Sequence, residues 1–287
     1  MEYTIDNGTL CVTANSFGAE LISVKCRGEE KLWQNSTGEW SGHSPVLFPV
    51  CGRCFIKHKG VEYPQKFHGV CRHSEFTLTD RGDDFLEFTL QSNAETREVY
   101  PFDFTFSMVY RVHGSTLLIE HVVKNENAEP MYFACGGHES FNLATNVEDY
   151  AIEFEKEEEL RHRLYDSESR LLGAEDVVRF EEKTFLPLPL AYLQKGDTLI
   201  LEKIRSRKVW LCEKNGKRLA EICFADEMGN LLLWRAGNSP FICIEPWSNL
   251  PDAADETLRK MEFSQKLGVM KLDAGATKIL KRSVKYL

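Results

Sequence analysis

Residues 102–112 constrain this chain more than any other stretch. They read Phe-Asp-Phe-Thr-Phe-Ser-Met-Val-Tyr-Arg-Val, which sets Phe102, Phe104, Phe106, Met108, Tyr110 and Val112 on one face. Alternation with period two over that length suits a half-buried β-strand and gives a helix no apolar stripe. His113-Gly114-Ser115 then turns the chain into residues 116–124, which alternate again. Two such runs across a short glycine-containing turn predict an antiparallel hairpin.

The same pattern recurs along the chain. Residues 3–6 and 10–14 flank Asn7-Gly8, residues 75–80 and 85–92 flank Arg81-Gly82-Asp83, and residues 208–213 and 218–225 flank Asn215-Gly216. Further strands are expected at 17–25, 31–33, 131–135, 198–204, 231–234 and 241–244, with 276–286 as a closing strand. Residues 44–53 carry two prolines and a glycine, so they are read as a loop presenting Arg53. Residues 153–195 are the least regular and most charged part. Within them 155–159 reads as a solvated acidic turn and Leu186-Pro-Leu-Pro-Leu190 as an extended segment. A short helix fits within 252–266. About fifteen to twenty short strands at close spacing, with no repeat or linker, predict an all-β fold. The expectation is a large antiparallel β-sandwich with very little helix, forming a single domain over residues 1–287.

Hydrophobic residues at 43% and charged residues at 28% supply a sizeable core and exclude a disordered chain. A formal net charge of −9 argues against nucleic acid or an acidic membrane surface as partner. No apolar run approaches the roughly 20 residues that span a bilayer. Residues 1–6 lack the basic and apolar regions of a secretory signal. Nine cysteines, mostly in apolar strand-like runs, read as buried thiols in a reducing compartment, so a cytoplasmic location is expected. Cys51-Gly-Arg-Cys54 is the one CxxC pair. Without a second pair it is a weak zinc or redox signal, for which Cys71 with His68 or His73 would have to complete the ligands.

Chemistry gathers where apolar runs deliver polar groups. Phe241-Ile-Cys-Ile leads into Glu245, and Pro246, which has no N–H to give, is expected to end that ladder. Trp247 stands beside the carboxylate, which suits a sugar-binding base; a strand-end glutamate in a salt bridge is the alternative. Arg53 follows Gly52, His68 precedes Gly69, and His138 follows Gly136-Gly137. Any one of these histidines alone also fits a satisfied core imidazole. Taken with Glu245, they offer an acid and a base on separate strands, as general acid–base work at neutral pH requires. There is no Gly-x-Ser-x-Gly elbow, no phosphate-cradling glycine loop before a helix, and no His-Glu-x-x-His.

Several pieces, in order over nearly the whole length, resemble the aldose 1-epimerase (galactose mutarotase) superfamily. The similarity is to the branch of shorter bacterial proteins that includes the lactose-operon mutarotase-like proteins. The pieces are Gly18-Ala-Glu-Leu-Ile-Ser23, Leu32-Trp33, Ser44-Pro-Val-Leu-Phe-Pro-Val-Cys-Gly-Arg53, His68-Gly-Val-Cys-Arg72 and Tyr100-Pro-Phe-Asp-Phe104. They continue with Gly136-Gly-His-Glu-Ser-Phe-Asn142, Phe241-Ile-Cys-Ile-Glu-Pro-Trp247 and Asp252. The resemblance implies a galactose mutarotase-like supersandwich with a monosaccharide pocket, acting without cofactor or metal as a monomer or homodimer. It implies His138 as acid at the ring oxygen and Glu245 as base at the C1 hydroxyl. Arg53, His68, Arg72, Trp247 and, as counterpart of the family's aspartate, Asp197 would bind the sugar. Glu139 and Val70 depart from the branch pattern at positions expected beside the pocket. The resemblance also leaves two other readings: a hexose-6-phosphate 1-epimerase using Arg53, Lys57 and Lys59, and a non-catalytic carbohydrate-binding protein.

Overall fold

The period-two run forms the strand Phe104–His113, which pairs along its whole length with Thr116–Asn125. This computed structural model describes residues 1–194 and 196–287. Strand accounts for 47% and helix for 8%, so the all-β expectation holds. The Phe104–His113 hairpin sits inside a nine-stranded antiparallel sheet. Its order is Phe185–Pro187, Tyr150–Phe154, Lys208–Glu213, Arg218–Phe224, Thr277–Tyr286, Thr116–Asn125, Phe104–His113, Phe85–Gln91 and Thr77–Arg81. No helix among the described residues is long and apolar enough to cross a membrane.

A six-stranded sheet carries the groups of interest. Its order is Glu139–Asn142, Phe241–Trp247, Asn230–Trp234, Thr198–Leu201, Arg161–Tyr165 and Leu171–Val177. Both faces of its central strands are covered. Leu199, Leu201, Leu231, Leu233, Ile242 and Ile244 join the main hydrophobic cluster, along with residues of the nine-stranded sheet. The alternate residues Thr198, Ile200, Leu232, Trp234, Glu245 and Trp247 line a cavity on the other side. Side chains of a strand alternate between faces, so one register divides core from cavity.

Three expectations are corrected. Pro246 does not end its strand, which runs on to Trp247 with Pro246 opposite Leu231. The N–H and C=O of one strand residue point to the same edge. The Pro246 carbonyl accepts from the Gly137 N–H, so the missing donor falls on the side of the Gly136-Gly137 segment, which still bridges to Trp247, rather than against Asn230–Trp234. Of residues 153–195, Lys195 lies outside the described residues, and the rest are not irregular, because they supply the strands Arg161–Tyr165, Leu171–Val177 and Phe185–Pro187. Glu158 in the acidic run is buried, accepting from the N–H groups of Arg205 and Ser206 and from the Ser206 hydroxyl. The short helix Glu256–Arg259 forms as expected, whereas Ala94–Val99, closed by an Asn93–Thr96 capping box, was not expected.

One ion pair crosses between the sheets. Arg282, on Thr277–Tyr286, donates to Glu139, on Glu139–Asn142, and both side chains are almost wholly buried. Ser44 Oγ donates to the other oxygen of Glu139 at 3.2 Å. Removing one partner of such a pair strands a buried charge, which costs about 3–5 kcal/mol. Glu139→Gln should therefore lower stability by about that amount in urea unfolding, and Glu139→Leu combined with Arg282→Met should recover most of it. A loss below about 1 kcal/mol, the worth of an exposed pair, would contradict this bridging role.

Candidate functional site

The cavity has a volume of about 290 Å³ and opens on one side of the six-stranded sheet. That is just below the roughly 300–1,000 Å³ of sites for drug-sized ligands, and it suits one small ring. Trp40, Phe67, Tyr165, Trp234 and Trp247 give it aromatic walls, and His68, Arg72, His138, Ser169, Thr198 and Glu245 supply polar groups.

His138 reaches the cavity because the chain approaches its surroundings closely at two glycines. A Cβ on Gly136 would lie 2.6 Å from the Trp247 ring, and one on Gly137 would lie 2.1 Å from the Arg282 guanidinium. The Trp247 indole N–H donates to the Gly137 carbonyl at 3.1 Å, and Gly137 N–H donates to the Pro246 carbonyl at 3.0 Å. The segment is thus tied to the strand that carries Glu245. His138 Nε2 stands 3.5 Å from Glu245 Oε2, and both groups are buried. Glu245 Oε1 has no protein partner. Trp40 stacks on the His138 ring at 5.5 Å between centroids, and His68 and Trp234 meet that ring edge-on.

Burial sets the charge states. It pushes His138 down to about 3, with the positive Arg72 adding to the effect. It pushes the Glu245 carboxyl well above its usual range, with Glu139 adding and Arg72 opposing. His68 is likewise held well below an ordinary histidine by burial, then by His138 and Arg72. Its Nδ1 accepts from the Gly52 N–H at 3.0 Å, which leaves the neutral ring's proton on Nε2 as a donor. For Arg72, burial is countered by the charges of Glu20 and Glu245.

His68, Arg72, His138, Glu245 and Trp247 therefore meet at one cavity. Arg53 and Asp197 do not line it. Arg53 is exposed, and its carbonyl is held by the Asp252 N–H at 2.9 Å. Asp197 is exposed in the turn just before the strand Thr198–Leu201, its N–H donating to the Gln194 carbonyl at 2.9 Å. Lys57 also stands outside, Lys59 pairs with Glu129 at the surface, and Arg72 is the sole cation among the described lining residues. Cys51 and Cys54 are buried thiols. Cys54 Sγ donates to the carbonyls of Cys51 and Leu250 and accepts from Asn249.

The aldose 1-epimerase family model matches residues 1–185. Over 275 residues the sequence is 34% identical to the chromosomal protein LacX of Lactococcus lactis subsp. lactis, covering 89% of this chain and 90% of LacX. The chain belongs to the aldose 1-epimerase family. The likeness to LacX places it in the lactose-operon-like branch of that family. A galactose mutarotase related enzyme from Lactobacillus acidophilus superposes with a TM-score of 0.88 at 30% identity, covering 100% of this chain and 97% of that one. A galactose mutarotase-like protein from Lactobacillus casei ATCC 334 gives 0.90 at 28% identity, with both chains fully covered.

The two departures from the family pattern do not reach the cavity. Glu139, the first residue of its strand, is paired with Arg282 between the sheets, while Val70 packs in the core. Family motifs left Trp40, Tyr165, Ser169 and Thr198 unmarked. Trp40 lies in a Ser/Gly-rich loop, and Tyr165 and Ser169 lie in the charged middle segment, where no apolar alternation announces a strand; Thr198 opens an expected strand, but nothing in the sequence marks it as facing a site.

Proposed function

We propose that this chain is an aldose 1-epimerase that interconverts the α and β anomers of an unphosphorylated hexose. The observation that carries this reading is the buried His138–Glu245 pair, 3.5 Å apart on the floor of an aromatic-walled cavity. His138 protonates the ring oxygen while Glu245 takes the C1 hydroxyl proton. The C1–O bond of the ring breaks and the free aldehyde forms. After rotation about C1–C2, the ring oxygen attacks the other carbonyl face and each proton returns. His68, as a neutral donor, and Arg72 hold hydroxyls, and Trp247 offers a flat apolar surface to the ring. The phosphorylated-substrate alternative lacks support, because Arg53, Lys57 and Lys59 stand outside the cavity.

One proton serves the pair throughout. Imidazolium with carboxylate and imidazole with carboxylic acid hold the same total, and the two are the beginning and end of ring opening. Burial favours the neutral arrangement in the empty cavity, and sugar hydroxyls stabilise the charged one. The pair gains a second proton only near the depressed histidine value of about 3. It loses its proton only through the raised carboxyl. The profile of kcat/KM against pH should therefore be bell-shaped with a broad top, its limbs belonging to the pair. An acid limb at the ordinary histidine value of 6.5 would contradict the neutral-imidazole state.

Freshly dissolved pure α anomers of a panel of hexoses test the activity itself. Polarimetry should show catalytic amounts of the protein speeding the approach to equilibrium for at least one free hexose, and less so for its 6-phosphate. No acceleration for any hexose would overturn the proposal.

A further inference from the structure

Behind the cavity wall, packed with Phe241, Trp40 and Trp234, lies a wholly buried thiol that anomer interconversion does not use. Cys243 stands two residues before Glu245 on the same buried strand, facing the same way. A ring nitrogen of His138, the Cys243 sulfur and a carboxylate oxygen of Glu245 all lie within 4.8 Å of one another. No other His, Cys, Asp or Glu group among the described residues gathers so closely. Glu245 Oε1, buried and without a partner, supplies a free acceptor there.

We propose that His138, Cys243 and Glu245 form a binding site for Zn²⁺ or a similar thiophilic divalent cation, and that the bound metal excludes the sugar. Nitrogen, sulfur and oxygen donors are those zinc takes, at about 2.0–2.3 Å, and three protein ligands with one open position make a four-coordinate site. Tetrahedral bonds of that length separate ligand atoms by about 3.3–3.8 Å, so the three groups need draw in by only about 1 Å. His138 and Glu245 line the cavity, so water reaches the fourth position from that side. Binding displaces the thiol proton and the carboxyl proton to solvent, so the metal replaces two protons with one dication. The inhibitory half of the proposal rests on the acid–base reading above; the binding half stands on the geometry alone.

Cobalt(II), titrated into the chelator-treated protein, is the direct probe. A thiolate-to-cobalt charge-transfer band should rise to saturation at one equivalent, persist in Cys11→Ser and Cys223→Ser, and vanish in Cys243→Ser. Zn²⁺ should inhibit anomer exchange competitively with sugar. Cys243→Ser should keep the basal rate while raising the half-inhibitory zinc concentration by about tenfold or more, since even losing an outer partner of a ligand costs 10–100-fold. Cys243→Ala serves the same comparison if the serine variant melts early. A band that survives in Cys243→Ser, or unchanged zinc inhibition in that variant, overturns the site. Because the cobalt band is read without substrate, a protein with the band but no epimerase activity would sink the function and leave the metal site standing.

Discussion

The ion pair between Arg282 and Glu139 holds the molecule's two large sheets and its site in one arrangement. Taking both charges out of water is costly, and their attraction compensates only in a fixed geometry. Arg282 comes up from the nine-stranded sheet beneath Gly137, in space that a side chain there would occupy. Glu139 is thereby fixed facing inward, and its neighbour His138 lines the cavity. The same pair acts electrostatically, because Glu139 adds to the burial that raises the Glu245 carboxyl above its usual range. A residue that departs from the family pattern thus belongs to the support of the site rather than to its wall.

The cavity itself follows from a sheet buried on both faces. Strands such as Phe241–Trp247, with all seven residues buried, read as continuous apolar runs because neither face meets water. On one side they complete the core, and on the other they leave Glu245 and Trp247 among aromatic rings. An acid and a base kept dry in this way exchange protons in a low dielectric, where each electrostatic contact counts for more.

Much of this was legible in the sequence because its signals are local. The alternation at 102–112 specifies a strand whatever surrounds it, and the hairpin turns at Asn7-Gly8 and Asn215-Gly216 lie between paired strands as expected. His138, Glu245, His68 and Arg72 sat in motifs that the fold brings together. What failed depended on partners distant in sequence. Asp197 misses the cavity because the strand paired with Asn230–Trp234 starts only at Thr198, leaving Asp197 exposed in the turn before it. Pro246 continues its strand because its missing N–H lies on the side of the Gly137 segment, away from its pairing with Asn230–Trp234. Leu171–Val177 is an edge strand exposed at six of its seven positions, so no hydrophobic pattern marked it or the Tyr165 and Ser169 beside it.

The acid–base assignment is tested most directly by anomer exchange in Glu245→Gln, read by NMR saturation transfer on an equilibrated hexose. The substitution keeps the shape of the side chain and removes its basicity. The exchange rate should fall by about 10²–10⁴-fold, the usual worth of a positioned base, with a smaller change in sugar affinity. His138→Asn should lose a similar amount, and the two losses should not add, since the groups act as one unit. A folded Glu245→Gln protein that exchanges anomers at the wild-type rate would contradict the assignment.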